Sequence, residues 1–150
     1  MARGVFIQAP HGTGKSTWIS KLPSNIRKYT IDGDELLAKK NIKNYNYFWY
    51  KPKYSKEREE IWKVFQEILH KGYTILYSGN PIILPTDLII LPPARQRWEQ
   101  LQRRRKEGGF IPEKKYFIQE EKYYRSASQC IRTIRGNIPN MEEIRKALQE

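Results

Sequence analysis

The feature that most constrains the fold of this chain is an apolar run that leads directly into a glycine-containing loop. Residues 5–17 read VFIQAPHGTGKST. The run that ends at Gln8 predicts a buried strand, and Lys15 is expected to begin a helix. Gly12 and Gly14 allow backbone dihedrals and a close approach of the backbone that larger residues prevent. A strand, a tight loop and a helix in this order predict one unit of a parallel α/β sheet.

The same loop predicts a binding site for phosphate. It matches the Walker A pattern G-x-x-x-x-G-K-[ST], except that Ala9 replaces the first glycine. In this pattern the loop N–H groups and the positive end of the helix dipole face phosphate oxygens. The lysine contacts the β- and γ-phosphates of ATP, and the Ser16 hydroxyl binds Mg²⁺. The predicted nucleotide-binding residues are His11, Gly12, Thr13, Gly14, Lys15, Ser16 and Thr17.

Two further expectations concern this loop. An ordinary glycine-containing turn between a strand and a helix is the structural alternative to a nucleotide site. The side chain of His11 is expected to point outward from the loop.

Length and composition predict one cytoplasmic domain that spans residues 1–150. Lys and Arg number 28 against 16 acidic residues, and the net charge of +12 favours polyanionic partners such as nucleotides or nucleic acid. The single cysteine, Cys130, excludes an internal disulfide and is expected to be a buried structural thiol. No apolar stretch approaches the length of a membrane span, so no membrane partner is expected.

Hydrophobic periodicity predicts strands that alternate with helices. The strands are expected at Gly4–Gln8, Tyr29–Ile31, Thr74–Tyr77, Leu88–Leu91 and Ile131–Ile134. The helices are expected at Lys15–Lys21, Glu35–Lys40, from Ser55 to a stop at Gly72, Ala94–Glu107, Lys114–Gln129, and after the capping box of Asn140 and Glu143. This order predicts a three-layer α/β/α domain with a short parallel sheet, whose ligands bind at the carboxyl ends of the strands. Together with the Walker A loop it indicates a P-loop NTPase fold.

Two carboxylates follow the second predicted strand, which we expect to lie beside the first. If side chains alternate there, Asp32 and Asp34 face the same cleft. We assign Asp34 as the base that orients the acceptor and Asp32 to the water shell of Mg²⁺, with the reverse assignment open. The alternative is an acidic turn that caps a helix. Neither Thr74–Tyr77 nor Leu88–Leu91 is followed by a Walker B aspartate, which argues against motor and switch NTPases.

With these motifs the chain resembles the P-loop kinases of nucleosides, nucleotides and small metabolites. The sequence DGD is similar to that of adenylylsulfate kinase, and shikimate-type kinases carry a similar pair. Residues 78–81, SGNP, stand where these families place an acceptor-binding turn, which implies substrate contacts from Gly79 and Asn80. Residues 103–107, RRRKE, are similar to the lid of deoxynucleoside and thymidylate kinases, and this resemblance implies that the α/β/α P-loop NTPase fold carries a helical lid.

The basic helix has two interpretations. One guanidinium of Arg103, Arg104 or Arg105 offsets charge on the transferred phosphoryl group, and Arg97 stacks on adenine. The alternative is a solvated basic helix face. An aromatic segment, residues 45–54, is expected either to stack on a base or to pack in the core and lid.

The favoured hypothesis is an ATP- and Mg²⁺-dependent kinase of a nucleoside, a nucleotide or a similar small hydroxyl or phosphate acceptor. One alternative is a 5′-hydroxyl polynucleotide kinase, for which the acceptor is a nucleic-acid 5′ end. The other is a P-loop protein that binds ATP and nucleic acid without acting as a kinase.

Overall fold

The computed structural model describes residues 3–42, 49, 51–108 and 113–149. The strands are β1 (Phe6–Gln8), β2 (Thr30–Asp32), β3 (Thr74–Tyr77), β4 (Leu88–Leu91) and β5 (Thr133–Arg135). The helices are α1 (Lys15–Ser20), α2 (Ser24–Arg27), α3 (Gly33–Lys39), α4 (Ser55–His70), α5 (Ala94–Lys106), α6 (Lys114–Ala127) and α7 (Met141–Gln149). A short 3-10 turn, Pro52–Tyr54, precedes α4.

The five strands form one parallel sheet in the order β2-β3-β1-β4-β5. At its centre Ile7 of β1 pairs with Leu76 of β3 and with Leu88 of β4. The carboxyl ends of all strands therefore meet at one edge, as the predicted fold class requires. The expectation that β2 lies beside β1 is wrong, because β3 occupies the position between them.

Apolar layers cover both faces of the sheet. On one face Phe6, Ile75 and Tyr77 pack against Phe65 of α4 and Leu37 of α3. The opposite face carries Ile7, Leu76, Leu88 and Ile90, which pack against Ile144 of α7 and the partly buried Trp18 of α1. The alternation of neighbouring residues between two buried faces produces the three-layer α/β/α arrangement.

Several local expectations differ from the structure. Helix α3 begins at Gly33, two residues earlier than predicted, because the Asp32 side chain caps it. The four-residue helix α2 has no counterpart in the prediction. Cys130 is exposed, so the expected burial of its thiol is wrong. Among the described residues, no helix is both long enough and apolar enough to span a bilayer.

Candidate functional site

The phosphate-binding loop connects β1 to α1 in the geometry that its glycines predict. Gly14 has a φ of 88° and is the N-cap of α1, so Lys15 is the first helical residue. The Thr13 hydroxyl donates to the Pro10 carbonyl oxygen at 2.6 Å, which closes the loop on itself. Ser16 and Thr17 are exposed in the first turn of α1. The positive end of this helix faces the space that the loop surrounds.

The Lys15 side chain is directed toward the carboxyl end of β3. It is only 8% exposed, and its ammonium group donates to the Ser78 hydroxyl. That hydroxyl in turn donates to the Ala9 carbonyl oxygen at 2.6 Å. Burial lowers the pKa of Lys15, while the nearby carboxylates Asp34 and Asp32 act in the opposite direction. The ammonium is thus held in a poorly solvated position where a phosphate would stabilise its charge.

Asp32 serves two purposes in this structure. Its Oδ1 accepts from the backbone N–H of Asp34 at 3.0 Å, which caps α3, and its Oδ2 accepts from the Ser16 hydroxyl at 2.8 Å. Asp32 therefore caps a helix, as the alternative interpretation predicted, and it also contacts the phosphate-binding loop. A hydroxyl and a carboxylate in contact are hard oxygen ligands of the type that Mg²⁺ prefers, so these residues fit that ion.

Asp34 lies in the first turn of α3, not on a strand as the alternation argument assumed. The two carboxylates nevertheless act on the same group, because the charges of both Asp34 and Asp32 favour the ammonium form of Lys15. The carboxyl end of β2 and the start of α3 thus bring both acidic residues to the phosphate-binding loop.

The predicted acceptor turn follows β3 and is held by buried polar side chains. The Gly79 N–H donates to Oε1 of Gln8 at 2.8 Å, and its carbonyl oxygen accepts from the Tyr124 hydroxyl at 3.0 Å. An added Cβ at Gly79 would lie 2.8 Å from the Tyr77 ring, so the turn requires glycine at this point. The backbone groups of Gly79 are therefore engaged by the protein itself.

Asn80 is also engaged by the protein. It is 2% exposed, and its Nδ2 donates to the Trp49 carbonyl oxygen at 2.9 Å. The indole N–H of Trp49 donates to the Tyr77 hydroxyl at 3.0 Å. Trp49 and Tyr54 pack with the core, as one interpretation of the aromatic segment predicted. The other aromatic residues of that segment, Tyr45, Tyr47, Phe48 and Tyr50, lie outside the described residues.

Two expectations about basic side chains need correction. His11 does not point outward, because its Nδ1 lies 2.6 Å from Oε2 of Glu120. Arg97 is completely buried, its guanidinium forms ion pairs with Glu120 and Glu121, and it packs 4.6 Å from the Phe117 ring. Stacking of Arg97 on adenine does not fit this position, because the guanidinium offers no exposed face.

The three consecutive arginines near the end of α5 differ in their surroundings. Arg103 and Arg105 are exposed, and Arg103 donates to Gln100 within the same helix. Arg104 is partly buried, and its charge lowers the pKa of Lys15, although less than burial does. Arg104 is therefore the arginine of this cluster whose charge acts on the phosphate-binding lysine.

Several residues that build the site were missed by the sequence reasoning. Gln8, Glu120 and Tyr124 make polar contacts to the phosphate-binding loop or to the predicted acceptor turn. Ser78 belongs to that predicted turn, but its contact with Lys15 was not predicted. Gln8 and Glu120 do carry a signal, because each is a polar residue on an otherwise apolar face, and a buried polar group needs a partner. The identity of the partner could not be read from the sequence.

Comparison with solved structures identifies the fold. A shikimate kinase from Acinetobacter baumannii in complex with shikimate is similar over 99% of this chain and 90% of its own, with a TM-score of 0.52 and 13% identity. This chain has the fold of P-loop kinases. A gluconokinase from Sinorhizobium meliloti 1021 gives a TM-score of 0.51 at 15% identity, covering 98% of this chain and 90% of its own. A shikimate kinase from Bacteroides thetaiotaomicron gives a TM-score of 0.51 at 16% identity, and the similarity covers 98% of this chain and 94% of its own.

Comparison by sequence, unlike comparison by structure, found no significant match. No protein-family model matches the chain, and no significant match was found among curated proteins.

The burial of Lys15 leads to a prediction about stability and binding. Lys15→Ala should change the free energy of unfolding by no more than about 1 kcal/mol, because loss of the packed stem is offset by removal of a buried charge. The same variant should lose measurable binding of a non-hydrolysable ATP analogue with Mg²⁺. Denaturant unfolding and calorimetric titration measure the two quantities.

The exposed Lys21 provides the matched control, and Lys21→Ala should leave both quantities unchanged. A folded Lys15→Ala protein that binds the analogue with parental affinity would contradict the assignment of the phosphate site.

Proposed function

We propose that residues 1–150 act as a single P-loop kinase domain that transfers the γ-phosphoryl group of ATP to a small hydroxyl-bearing acceptor. One observation carries the proposal: the Lys15 ammonium, the Ser16 hydroxyl and the carboxylates Asp32 and Asp34 are gathered around one loop. Phosphoryl transfer requires positioned phosphates, a metal ligand set and an acceptor for a proton. The compared structures are named as kinases, and one of them holds shikimate, which supports a small acceptor.

Each residue has a distinct role in this proposal. The loop N–H groups from Gly12 to Ser16 and the Lys15 ammonium bind the ATP phosphates. The Ser16 hydroxyl and Asp32 hold Mg²⁺, which neutralises negative charge on the phosphates. Asp34 accepts the proton of the acceptor hydroxyl. The oxygen of that hydroxyl forms a bond to the γ-phosphorus of ATP, and the bond between the γ-phosphorus and the ADP leaving group breaks.

The acceptor is proposed to lie between α3 and the turn at Gly79 and Asn80. Asp34 follows β2 and the turn follows β3, and these two strands are paired in parallel, so both lie at the carboxyl edge of the sheet, where ligands of open parallel sheets bind. Because Asn80 and the backbone of Gly79 are engaged by Trp49, Gln8 and Tyr124, the turn serves chiefly to shape the pocket.

A screen with labelled ATP tests the proposal. It includes nucleosides, nucleoside monophosphates, small hydroxylated acids and 5′-hydroxyl oligonucleotides. A phosphorylated small molecule is the expected product. Labelling of oligonucleotides alone would instead favour the polynucleotide kinase, and ATP binding without any phosphorylated acceptor would favour the non-kinase alternative.

The role of Asp34 predicts a loss of transfer without a loss of ATP binding. Asp34→Asn keeps the size and polarity of the side chain but removes its basicity, so turnover should fall by roughly 10²–10⁴-fold. Asp32→Asn should instead raise the Mg²⁺ concentration needed for half-maximal rate. Steady-state kinetics with varied Mg²⁺ separate these effects.

Glu35→Gln is the matched control, since Glu35 follows Asp34 in the same helical turn and pairs with the exposed Lys39. Exchange of the two aspartate phenotypes would reverse our assignment, and parental rates in both variants would leave Asp32 and Asp34 with a capping role only.

The basic end of α5 predicts a difference among its three arginines. Arg104→Ala should reduce turnover by about 10²-fold while weakening ATP binding much less, because a charge directed at the transferring group acts mainly in the transition state. Arg103→Ala and Arg105→Ala serve as controls at exposed sites and should keep rates close to parental. Three variants with equal rates would instead support a solvated basic face.

A further inference from the structure

One residue of the phosphate-binding loop is held by both helices that flank residues 107–113. The backbone N–H of His11 donates to Oε1 of Glu120 on α6 at 3.0 Å, and its Nδ1 lies 2.6 Å from Oε2 of the same carboxylate. Arg97 on α5 donates to the His11 carbonyl oxygen at 2.9 Å. The N–H, the carbonyl and the ring of His11 are therefore all fixed by side chains that are distant in sequence.

The pKa of Glu120 lies below its ordinary value although the side chain is buried. The side chain is 2% exposed, and this burial by itself raises its pKa. The charge and hydrogen bond of His11, and the charge of Arg97, act in the opposite direction and hold the pKa below its ordinary value. The hydrogen bond from the His11 N–H to this carboxylate is therefore charge-assisted, which makes it stronger than one between neutral groups.

Core stability alone gives a poor account of this arrangement. The desolvation of buried ion pairs offsets much of their attraction, so such pairs contribute little to stability compared with apolar packing. Arg97 adds a further cost, because its Nε has no hydrogen-bond partner among the described residues. A buried polar network with these costs is better explained by the geometry that it imposes on the loop.

The geometry concerned is that of the phosphate-binding amides. His11 immediately precedes Gly12, which has a φ of 86° and packs so closely on α5 that an added Cβ would lie 2.6 Å from the Arg97 carbonyl oxygen. The N–H groups that follow Gly12 in the loop are oriented by the positions of His11 and Gly12. Because a binding site of this kind requires positions accurate to a fraction of an ångström, small shifts at His11 weaken it.

We propose that Glu120 is a positioning residue that fastens the phosphate-binding loop to helix α6 through His11. The inference rests on the proposed ATP-binding function and extends it to a residue outside the Walker A motif. The contact between Glu120 and His11 then increases the affinity of the loop for nucleotide. By linkage, bound nucleotide stabilises the contact with α6 by the same factor.

Glu120→Gln and Glu121→Gln form a matched pair that tests the proposal. Both residues lie on α6 and both bind Arg97, but the contacts to His11 come from Glu120. The dissociation constant of a non-hydrolysable ATP analogue with Mg²⁺ is measured by calorimetry on the full chain. We expect an increase of about tenfold for Glu120→Gln. Glu121→Gln should change this constant less than threefold, roughly the scatter between independent sites.

Hydrogen exchange gives a second readout in the absence of nucleotide. The backbone amides of residues 11–14 should exchange faster in Glu120→Gln than in Glu121→Gln. A purely structural ion pair would lower the free energy of unfolding in both variants, and would leave the affinity and the loop exchange of the folded proteins unchanged. That result would overturn the proposal.

His11→Ala examines the same contact from the loop, and it is used alone if Glu120→Gln does not fold. In the double variant the two losses of affinity should not add, because both substitutions disrupt the contact between the His11 ring and the Glu120 carboxylate. Additive losses, or parental affinity together with parental exchange of the amides of residues 11–14 in His11→Ala, would overturn the proposal. A wild-type protein that does not bind the analogue would overturn the proposed function instead, so the two failures are distinguishable.

Discussion

The central position of β1 in the sheet determines the location of every other part of the site. Because β1 pairs with β3 on one side and β4 on the other, the loop that follows it opens at the middle of the carboxyl edge. The predicted acceptor turn, which begins at Ser78, then follows directly from β3, and Asp32 reaches Ser16 from the end of β2. The apolar layers on both faces hold these strands in register. The site therefore depends on the packing of residues that do not belong to it.

Buried charge gives the site its second organising feature. Lys15 and Glu120 are both poorly solvated, and burial is the largest single influence on the pKa of each. For Lys15 burial outweighs the neighbouring carboxylates, whereas for Glu120 the neighbouring basic groups, chiefly His11 and Arg97, together outweigh burial. The carboxylate is thus already compensated within the protein, while the ammonium is left with a charge that a phosphate would compensate. This contrast favours a bound anion beside Lys15, and it agrees with a positioning role for Glu120 in which the carboxylate binds groups of the protein itself.

Much of the secondary structure could be predicted because it depends on local patterns. Strands β3 and β4 have the predicted bounds, since continuous apolar runs flanked by turn residues specify them. Helix α3 was predicted to begin too late, because its start was placed at Glu35, after the polar cluster, whereas the Asp32 side chain caps a helix that begins at Gly33. The residues of the phosphate-binding loop could be identified individually because their spacing along the chain is the signal. The roles of Arg97 and His11 could not be identified in this way, because their partners lie on α6, more than twenty residues away from either of them.

The sequence by itself determined the phosphate-binding loop, the alternation of strands and helices, and hence the fold class. These features follow from local backbone preferences and from the periodicity of apolar residues. Only the tertiary structure decided that β3 separates β2 from β1, that Arg97 is buried in ion pairs and that Cys130 is exposed. Those outcomes depend on which surfaces meet when the layers pack. Residues far apart in the chain then become neighbours, and their pairing is decided by shape and by the need to satisfy buried polar groups.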